Sequence, residues 1–203
     1  LKIDGSAFSF RHPYGQAFEG EVLGDRMFAR IAPFDKKTGK LKGAWQPFAG
    51  TRNPPVAAGV STDQATFGEP IDILKDGLAG FASMSGEKME TTWSFKDGVL
   101  SNRVKGPDGK RLHGANIVTK RADFYDFKLD YDVRVPKGAN SGMYLRGRIE
   151  IQTLDSYGKP RDRHHMAAYY GRVAPSVTAE KPAGEWQHVT VVLYKRRLTV
   201  TLN

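Results

Sequence analysis

The stretch that decides the fold is residues 138–155, Gly-Ala-Asn-Ser-Gly-Met-Tyr-Leu-Arg-Gly-Arg-Ile-Glu-Ile-Gln-Thr-Leu-Asp. Polar and apolar side chains alternate in it twice, as they do on half-buried strands. Residues two apart on a strand share a face, so we expect Tyr144 and Arg146 to face one way, and Glu150 and Gln152 likewise. Their alternating partners are apolar, namely Met143, Leu145, Ile149 and Ile151. The stretch therefore predicts antiparallel strands with one polar face, and we expect residues 142–146 to be an interior strand.

Turn signals outside this stretch recur every eight to twelve residues, for example Lys-Asp-Gly at 96–98 and Pro-Lys-Gly at 136–138. Short β-rich runs lie between them, at residues 90–95, 99–104, 116–119, 127–135 and 186–194. No apolar spacing of three and four persists, which disfavours crossover helices. We predict an all-β, antiparallel sandwich or jelly roll with very little helix.

Composition excludes some classes of function but does not identify one. The chain has a net charge of +9 among 203 residues, but its basic residues are dispersed and no nucleic-acid-binding motif accompanies them. We therefore expect no nucleic-acid partner and no membrane span. With no cysteine, only His, Asp and Glu remain to ligate a cation. The first residue is Leu1, and we expect that the natural chain continues at its ends.

The chain divides by composition into three parts. Residues 1–35 read as a β-rich segment, either of a preceding module or of an extra layer. Residues 36–69 are rich in Lys, Gly, Pro and Ala, which predicts a linker. Residues 70–203 form the main domain.

Ordered motifs in residues 70–203 resemble those of the 3-keto-disaccharide hydrolase family. The matching pieces are Trp93 with Asp-Gly-Val-Leu at 97–100, Asp-Phe-Lys-Leu at 126–129, Asn-Ser-Gly-Met-Tyr-Leu-Arg at 140–146, Glu-Ile-Gln-Thr-Leu-Asp at 150–155, Tyr-Gly at 170–171 before Pro175, and Lys-Pro-Ala-Gly-Glu-Trp at 181–186. Two positions depart from the family pattern: Phe81 replaces a tryptophan, and Gln187 replaces an asparagine. Several ordered motifs over two thirds of a chain are far more specific than one short pattern.

The resemblance implies a concanavalin-like jelly roll and an enzyme, a glycosidase or lyase, that cleaves 3-keto-glycosides. It also implies a bacterial setting, with a periplasmic or extracellular location and a carbohydrate substrate. The alternative is a non-catalytic carbohydrate-binding module of the same fold, because one polar sheet face serves either purpose. A purely structural β domain is a third reading.

The strand chemistry favours elimination over ordinary glycoside hydrolysis. Retaining hydrolases on this architecture carry carboxylates on alternate residues of one strand, about 5 Å apart, whereas Glu150 is followed in phase by Gln152 and Leu154. Asp155 is out of phase with Glu150. A carbonyl at C3 of the sugar acidifies the proton on C2, so that a single base begins the reaction.

We therefore expect four catalytic residues. Glu150 is the base or a metal ligand, and Arg146 or a divalent cation stabilises the oxyanion. His164 or His165 donates the proton to the leaving oxygen, because histidine titrates near neutral pH. If a metal ion takes part, Glu150 would hold it with one of these histidines. The plainer alternative is an ion pair between Glu150 and Arg146 across the sheet.

The expected substrate-binding residues share polar groups suited to sugar hydroxyls, and they are Asn140, Tyr144, Gln152, Asp155 and Tyr170. Two of these have a structural reading as well. Asn140 fits a turn in the left-handed conformation, and Asp155 fits an anchor for the loop after its strand. Tyr169 is an alternative sugar platform to Tyr170, and Trp93 and Trp186 are expected to pack.

Overall fold

The computed structural model describes residues 1–203, which form two compact units, Leu1–Ala57 and Ala58–Asn203. The regular structure of the first unit is antiparallel strand alone, and that of the second is antiparallel strand with three short 3-10 segments. The prediction of an all-β antiparallel fold with an N-terminal β-rich extension is confirmed. None of the helical segments has the length or apolar character needed to cross a membrane.

The N-terminal unit is a single five-stranded sheet in which each strand pairs with the next along the chain. Its strands are β1 (Lys2–Asp4), β2 (Ala7–His12), β3 (Gln16–Leu23), β4 (Arg26–Pro33) and β5 (Gln46–Thr51). Phe10 and Phe18 stand opposite each other on β2 and β3, and their rings stack with centroids 4.6 Å apart. Such cross-strand aromatic pairs are a main source of stability in an antiparallel sheet.

This sheet reaches further along the chain than the expected boundary at residue 35. The segment 36–69 was predicted to be a linker, yet it contains β5, which pairs with β4 from Arg26 to Ile31. The sequence of β5 gives a weak strand signal, because it contains Pro47 and Gly50 and both residue types are depleted in strands. Proline is tolerated there because β5 is the edge strand of the sheet. The structural boundary lies between Ala57 and Ala58.

The C-terminal unit contains nine strands in four small antiparallel sheets. They are β6 (Phe81–Ser83), β7 (Trp93–Lys96), β8 (Val99–Asn102), β9 (Ile117–Thr119), β10 (Phe127–Arg134), β11 (Asn140–Leu145), β12 (Ile149–Leu154), β13 (Trp186–Tyr194) and β14 (Arg197–Leu202). Three 3-10 segments cover Thr62–Gln64, Gly77–Gly80 and Met89–Thr91.

One hydrophobic core joins the sheet β10-β13-β14 to the hairpin β11-β12. Val189, Val191 and Leu193 alternate along β13 and are almost fully buried, and they cluster with Leu145 and Ile151 from the hairpin. Burying each such side chain contributes about 1.5–3 kcal/mol. The two layers thus pack as a sandwich. His188 and Thr190 lie on the face of β13 turned away from the core, whereas Gln187 is buried on the core side.

The hairpin β11-β12 turns earlier than the strand alternation indicated. Arg146 and Gly147 have φ of 49° and 65°, and the Arg148 N–H donates to the Leu145 carbonyl at 3.1 Å. Two left-handed residues in succession make a tight hairpin turn. Arg146 therefore belongs to the turn, and the expectation that it shares a strand face with Tyr144 was wrong.

The interior strand of this layer is β12, where we had expected the segment 142–146. On one side β12 pairs with β11, and on the other side Ile151 bridges Tyr169. β11 pairs only with β12. Glu150, on β12, therefore has a neighbouring segment of the protein on each side, β11 on one and the segment around Tyr169 on the other.

Candidate functional site

The site is a row of three side chains that crosses the layer containing β12. Tyr144 on β11 stands directly opposite Glu150, and the N–H of Tyr170 donates to the Glu150 carbonyl at 2.9 Å from the other side. Residues directly opposite each other on antiparallel chains share a face. We call Tyr144, Glu150 and Tyr170 the Glu150 row. Its two tyrosines are 58% and 43% exposed, so they flank a half-buried carboxylate on an open face.

Glu150 is bound by a phenol rather than by the expected guanidinium. The Tyr144 hydroxyl donates to Glu150 Oε2 at 2.7 Å. This hydrogen bond, followed by burial and by the charges of Glu150 and Tyr170, raises the pKa of Tyr144 to about 12. Tyr144 is therefore a neutral donor near pH 7, and it stabilises the ionised carboxylate.

Arg146 is engaged elsewhere. Its guanidinium donates to Asp126 at 3.3 Å and lies 4.4 Å from the ring centroid of Tyr125. The possible ion pair between Arg146 and Glu150 is absent, because Arg146 sits in the hairpin turn beyond the strand. Through these contacts Arg146 stabilises the hairpin turn between β11 and β12.

The two histidines diverge, as neighbouring side chains on a chain must. His164 packs edge-on against Tyr170 with ring centroids 5.1 Å apart, which brings it to the Glu150 row. His165 Nδ1 lies 2.8 Å from the Pro160 carbonyl oxygen, and its ring lines a separate cavity of about 360 Å³. The structure therefore brings His164, and not His165, to the neighbourhood of Glu150.

His164 is oriented by a carboxylate. Its Nδ1 lies 2.7 Å from Asp162 Oδ1, and the same oxygen accepts the His164 backbone N–H at 2.8 Å. These two contacts, the backbone one being the larger, lower the pKa of Asp162. An Asp bound to Nδ1 fixes the tautomer and leaves Nε2 for proton transfer.

The side chain of Gln152 is buried next to the Glu150 row and does not face the solvent. It is 3% exposed, and its Nε2 donates to the His164 carbonyl at 3.0 Å. Its Oε1 is buried without a protein partner. Direct contact with a sugar, as expected from the sequence, does not fit this burial. Gln152 instead ties the segment that carries His164 to β12.

A β-bulge lies beside this support. Gln152 accepts a hydrogen bond from the Ala167 N–H at 2.9 Å and donates one to the Ala168 carbonyl at 3.0 Å, so two residues oppose one. Ala167 has φ of 62°, a left-handed conformation that is unfavourable for alanine. Bulges often lie next to active sites, where they redirect side chains. Nothing in the sequence signalled this one.

The two remaining expected binding residues have structural positions. Asn140 begins β11 with extended backbone, opposite Leu154, so the left-handed turn expected there is absent. That conformation is adopted by Gly138 instead, with φ of 72°. Asp155 Oδ2 accepts the Gly138 N–H at 2.8 Å, which anchors the turn before β11. The exposed side chain of Asn140 still borders the polar face.

The residues do not fit the expected metal site. No group of three or more His, Asp or Glu side chains is arranged to hold a metal ion. His165 is held by the Pro160 carbonyl, apart from the Glu150 row, so only His164 lies near Glu150. We therefore assign no step to a cation.

A second polar row lies on the outer face of β10 and β13. His188 Nδ1 lies 2.9 Å from Asp132, and the Thr190 hydroxyl donates to Asp130 at 2.6 Å. We call Asp130, Asp132, His188 and Thr190 the His188 row. The Thr190 hydroxyl, with smaller contributions from Lys128 and His188, lowers the pKa of Asp130. The sequence motifs did not mark this row.

The comparisons with known proteins concern mainly the C-terminal unit. A family model described as a 3-keto-alpha-glucoside-1,2-lyase-like domain matches residues 72–203. A 3-keto-disaccharide hydrolase of Bacteroides thetaiotaomicron is 24% identical over 143 residues, which covers 57% of this chain and 49% of that protein. This chain thus spans about half the length of that relative.

Solved structures resemble the fold. A crystal structure of a proposed glycosyl hydrolase from Parabacteroides distasonis has a TM-score of 0.51 at 20% identity, covering 65% of this chain and 67% of that one. A second structure of a protein described in the same way, from the same organism, has a TM-score of 0.48 at 24% identity, covering 74% and 77%. At such identity the first likeness supports the fold alone.

Proposed function

The chain belongs to the family of 3-keto-alpha-glucoside-1,2-lyase-like domains, and from this premise we propose that its C-terminal unit cleaves 3-keto-glycosides at the glycosidic bond. The resemblance expected from the sequence motifs is thereby confirmed, and a role in processing glycans follows from it. The observation that carries the proposed reaction is the Glu150 row, in which one carboxylate lies between two exposed tyrosines.

The row contains one carboxylate, which suits elimination better than double displacement. A retaining glycosidase needs a second carboxylate about 5 Å from the first on the same face. The cross-strand neighbours of Glu150 are phenols, from Tyr144 and Tyr170. In a 3-keto sugar the carbonyl makes the C2 proton acidic, so one base is sufficient.

The proposed reaction has two stages. Glu150 takes the proton from C2, and the C2–H electron pair forms an enediolate with its negative charge on the C3 oxygen. This charge returns to expel the C1 substituent, which gives an enone, and the departing oxygen takes a proton from His164. Water then adds to C1 while a proton returns to C2, so that the net result is hydrolysis. General acid–base steps of this kind each contribute about 10²–10⁴-fold.

The flanking side chains supply binding and charge stabilisation. The exposed faces of Tyr144 and Tyr170 suit stacking against a pyranose ring. Tyr170 lies next to Glu150 through its backbone N–H, and its hydroxyl makes no hydrogen bond, so we assign that hydroxyl as the donor to the C3 oxygen. Arg146, expected to play that part, is held by Asp126.

The experiment compares a 3-keto-disaccharide with the same sugar reduced at C3. The wild-type protein should release monosaccharide from the keto form only, with and without a chelator. Glu150→Gln should lower turnover by about a hundredfold or more, while Glu185→Gln, the same change at an exposed turn residue, should leave it unchanged. Release from the reduced sugar would indicate ordinary hydrolysis. Loss of activity in chelator would place a cation in the reaction.

A carbohydrate-binding module remains the second candidate, because the Glu150 row is open to solvent. Its tyrosines are largely exposed, and the cavity of about 360 Å³ is lined by other residues, among them Lys159, Arg161 and His165. An open aromatic face is sufficient to bind a glycan. Binding of both sugars without release from either would favour this candidate over the enzyme.

A further inference from the structure

The Glu150 side chain lies flat on the sheet, and it does so over a glycine. A Cβ placed on Gly142 would come within 2.8 Å of Glu150 Cγ and 2.9 Å of Cδ, and closer still to Oε1. Real Cβ atoms do not approach other atoms so closely. Gly142 stands diagonally across the hairpin from Glu150, since it pairs with Gln152. The missing side chain at position 142 is therefore what makes room for the carboxylate.

The backbone conformation at Gly142 is one that any residue can adopt. Its φ is not positive, and it lies within the extended strand β11. Glycine in a strand interior weakens the strand and commonly marks a close approach by another group. Here the approaching group is the head of Glu150 itself, which ties the choice of glycine to the position of one carboxylate.

The two oxygens of this carboxylate are held differently. Oε2 accepts the Tyr144 hydroxyl at 2.7 Å, whereas Oε1 lies over Gly142 without a hydrogen-bond partner. A carboxylate with one oxygen fixed and the other unpartnered is held in one orientation while it keeps a basic lone pair. Raising the pKa of Tyr144 to about 12 keeps that donor neutral over the working range of an enzyme.

We infer that Tyr144 and Gly142 are positioning residues for Glu150: the phenol fixes Oε2, and the bare glycine lets Oε1 lie on the open face as the atom that takes the C2 proton. This inference rests on the proposed function for its kinetic part. Its geometric part, the contact between position 142 and the Glu150 side chain, does not depend on any activity.

The kinetic test uses three single variants on the 3-keto-disaccharide. Tyr144→Phe removes only the hydroxyl, and we expect kcat to fall about tenfold or more with little change in KM. Gly142→Ala displaces the carboxylate by about the width of a methyl group, and we expect a loss of about a hundredfold. Ser141→Ala, one residue away on the same strand, is the matched control and should stay within about twofold of wild type.

A double-mutant cycle separates positioning from general damage to the strand. In the wild-type background Gly142→Ala should lower the midpoint of urea unfolding, because the new methyl group meets Glu150. In a Glu150→Ala background most of that loss should disappear, because Cγ, Cδ and Oε1 are gone. An equal loss in both backgrounds would overturn the inference.

The two hypotheses fail in different ways. If Glu150→Gln is inactive while Tyr144→Phe and Gly142→Ala turn over at the wild-type rate, the proposed function stands and the positioning inference is overturned. If Glu150→Gln is fully active, the proposed reaction is lost. In that case the unfolding cycle alone decides whether Gly142 accommodates the Glu150 side chain.

Discussion

The Glu150 row and the His188 row are both lines of polar side chains on faces turned away from the same core, and each contains a carboxylate with only one bound oxygen. In the His188 row, Asp130 has partners at both oxygens, Thr190 and Lys128, whereas Asp132 is bound by His188 through Oδ1 alone. In the Glu150 row, only Oε2 of Glu150 has a partner. The comparison teaches that an uncommitted carboxylate oxygen does not by itself mark a site, so the difference between the rows lies in their surroundings.

The surroundings of the two rows differ clearly. Glu150 lies between two tyrosines, and the buried Gln152 binds the segment that carries His164. A β-bulge at Ala167 lies opposite Gln152. The carboxylates of Asp130 and Asp132 are instead on an exposed surface of regular strands. Surface pairs of this kind contribute little to stability, about 0–1 kcal/mol, and nothing in them indicates catalysis.

The histidines give the strongest test of this comparison, since each has an Asp at its Nδ1. We expect His164→Gln to lower kcat about a hundredfold for a sugar leaving group, and His188→Gln to leave it unchanged. Because nitrophenolate departs without a proton, a nitrophenyl 3-keto-glycoside should restore most of the rate of His164→Gln. Steady-state rates on both substrates provide the check. Equal losses in the two variants would contradict the distinction between the rows.

A smaller effect concerns the stability of the His188 row. Thr190→Val removes the hydroxyl that binds Asp130, and we expect a loss of about 1 kcal/mol in the free energy of unfolding at pH 7. The folded pKa of Asp130 is lowered, so this contribution is present above the ordinary aspartate pKa of 3.8 and is lost as pH falls through the folded pKa. Thr201→Val, on the neighbouring strand β14, is the control. Urea unfolding at pH 7 and pH 3 measures the difference.

The bulge beside the Glu150 row predicts an unusual effect of glycine. Ala167→Gly relieves a left-handed alanine, so we expect the free energy of unfolding to rise by about 0.5 kcal/mol or to stay level. Ala168→Gly, next to it and 1% exposed, should instead lower stability by about 1 kcal/mol. Denaturant titrations of the two variants make the comparison. Destabilisation by both to the same extent would argue against strain at Ala167.

The smallest expected effect is on the alkaline side. The folded pKa of Tyr144 is raised to about 12 from 10.0, so the stability from its hydrogen bond is fully present below pH 10 and is lost as pH rises towards 12. The difference between wild type and Tyr144→Phe, about 0.5 kcal/mol at pH 8, should shrink by pH 11. Unfolding curves at these two pH values test this. A difference that grows with pH would contradict the assigned cause.

The sequence was sufficient for the fold because the relevant signals are local. Alternation along β13 puts Val189, Val191 and Leu193 on one face, and turn residues bound the strands. It failed at β5, where Pro47 and Gly50 have low strand propensity and cross-strand pairing prevails. Pairing partners lie far apart along the chain, so propensity alone could not reveal them.

At the candidate site, sequence reasoning named the residues of the Glu150 row but not the contacts between them. Tyr144, Glu150 and Tyr170 were all named as candidates, yet the bond from Tyr144 to Glu150 depends on a cross-strand register that alternation does not fix. Arg146 was predicted to lie on a strand, because the alternation of polar and apolar residues continues through the hairpin turn. The Arg-Gly pair at 146–147 was the available signal for it, since glycine readily adopts a left-handed conformation.

The bulge at Ala167 also makes the side on which Tyr170 lies depend on the length of the chain before it. Met166 is buried in the core, whereas Tyr170 stands beside Glu150 on the open face. They are four positions apart, and on an uninterrupted strand an even spacing would put both on the same side. The extra residue reverses that parity. A deletion of one residue here would exchange inside for outside without altering a single side chain, so relatives that differ in length at this point are expected to differ in the sugars they accept.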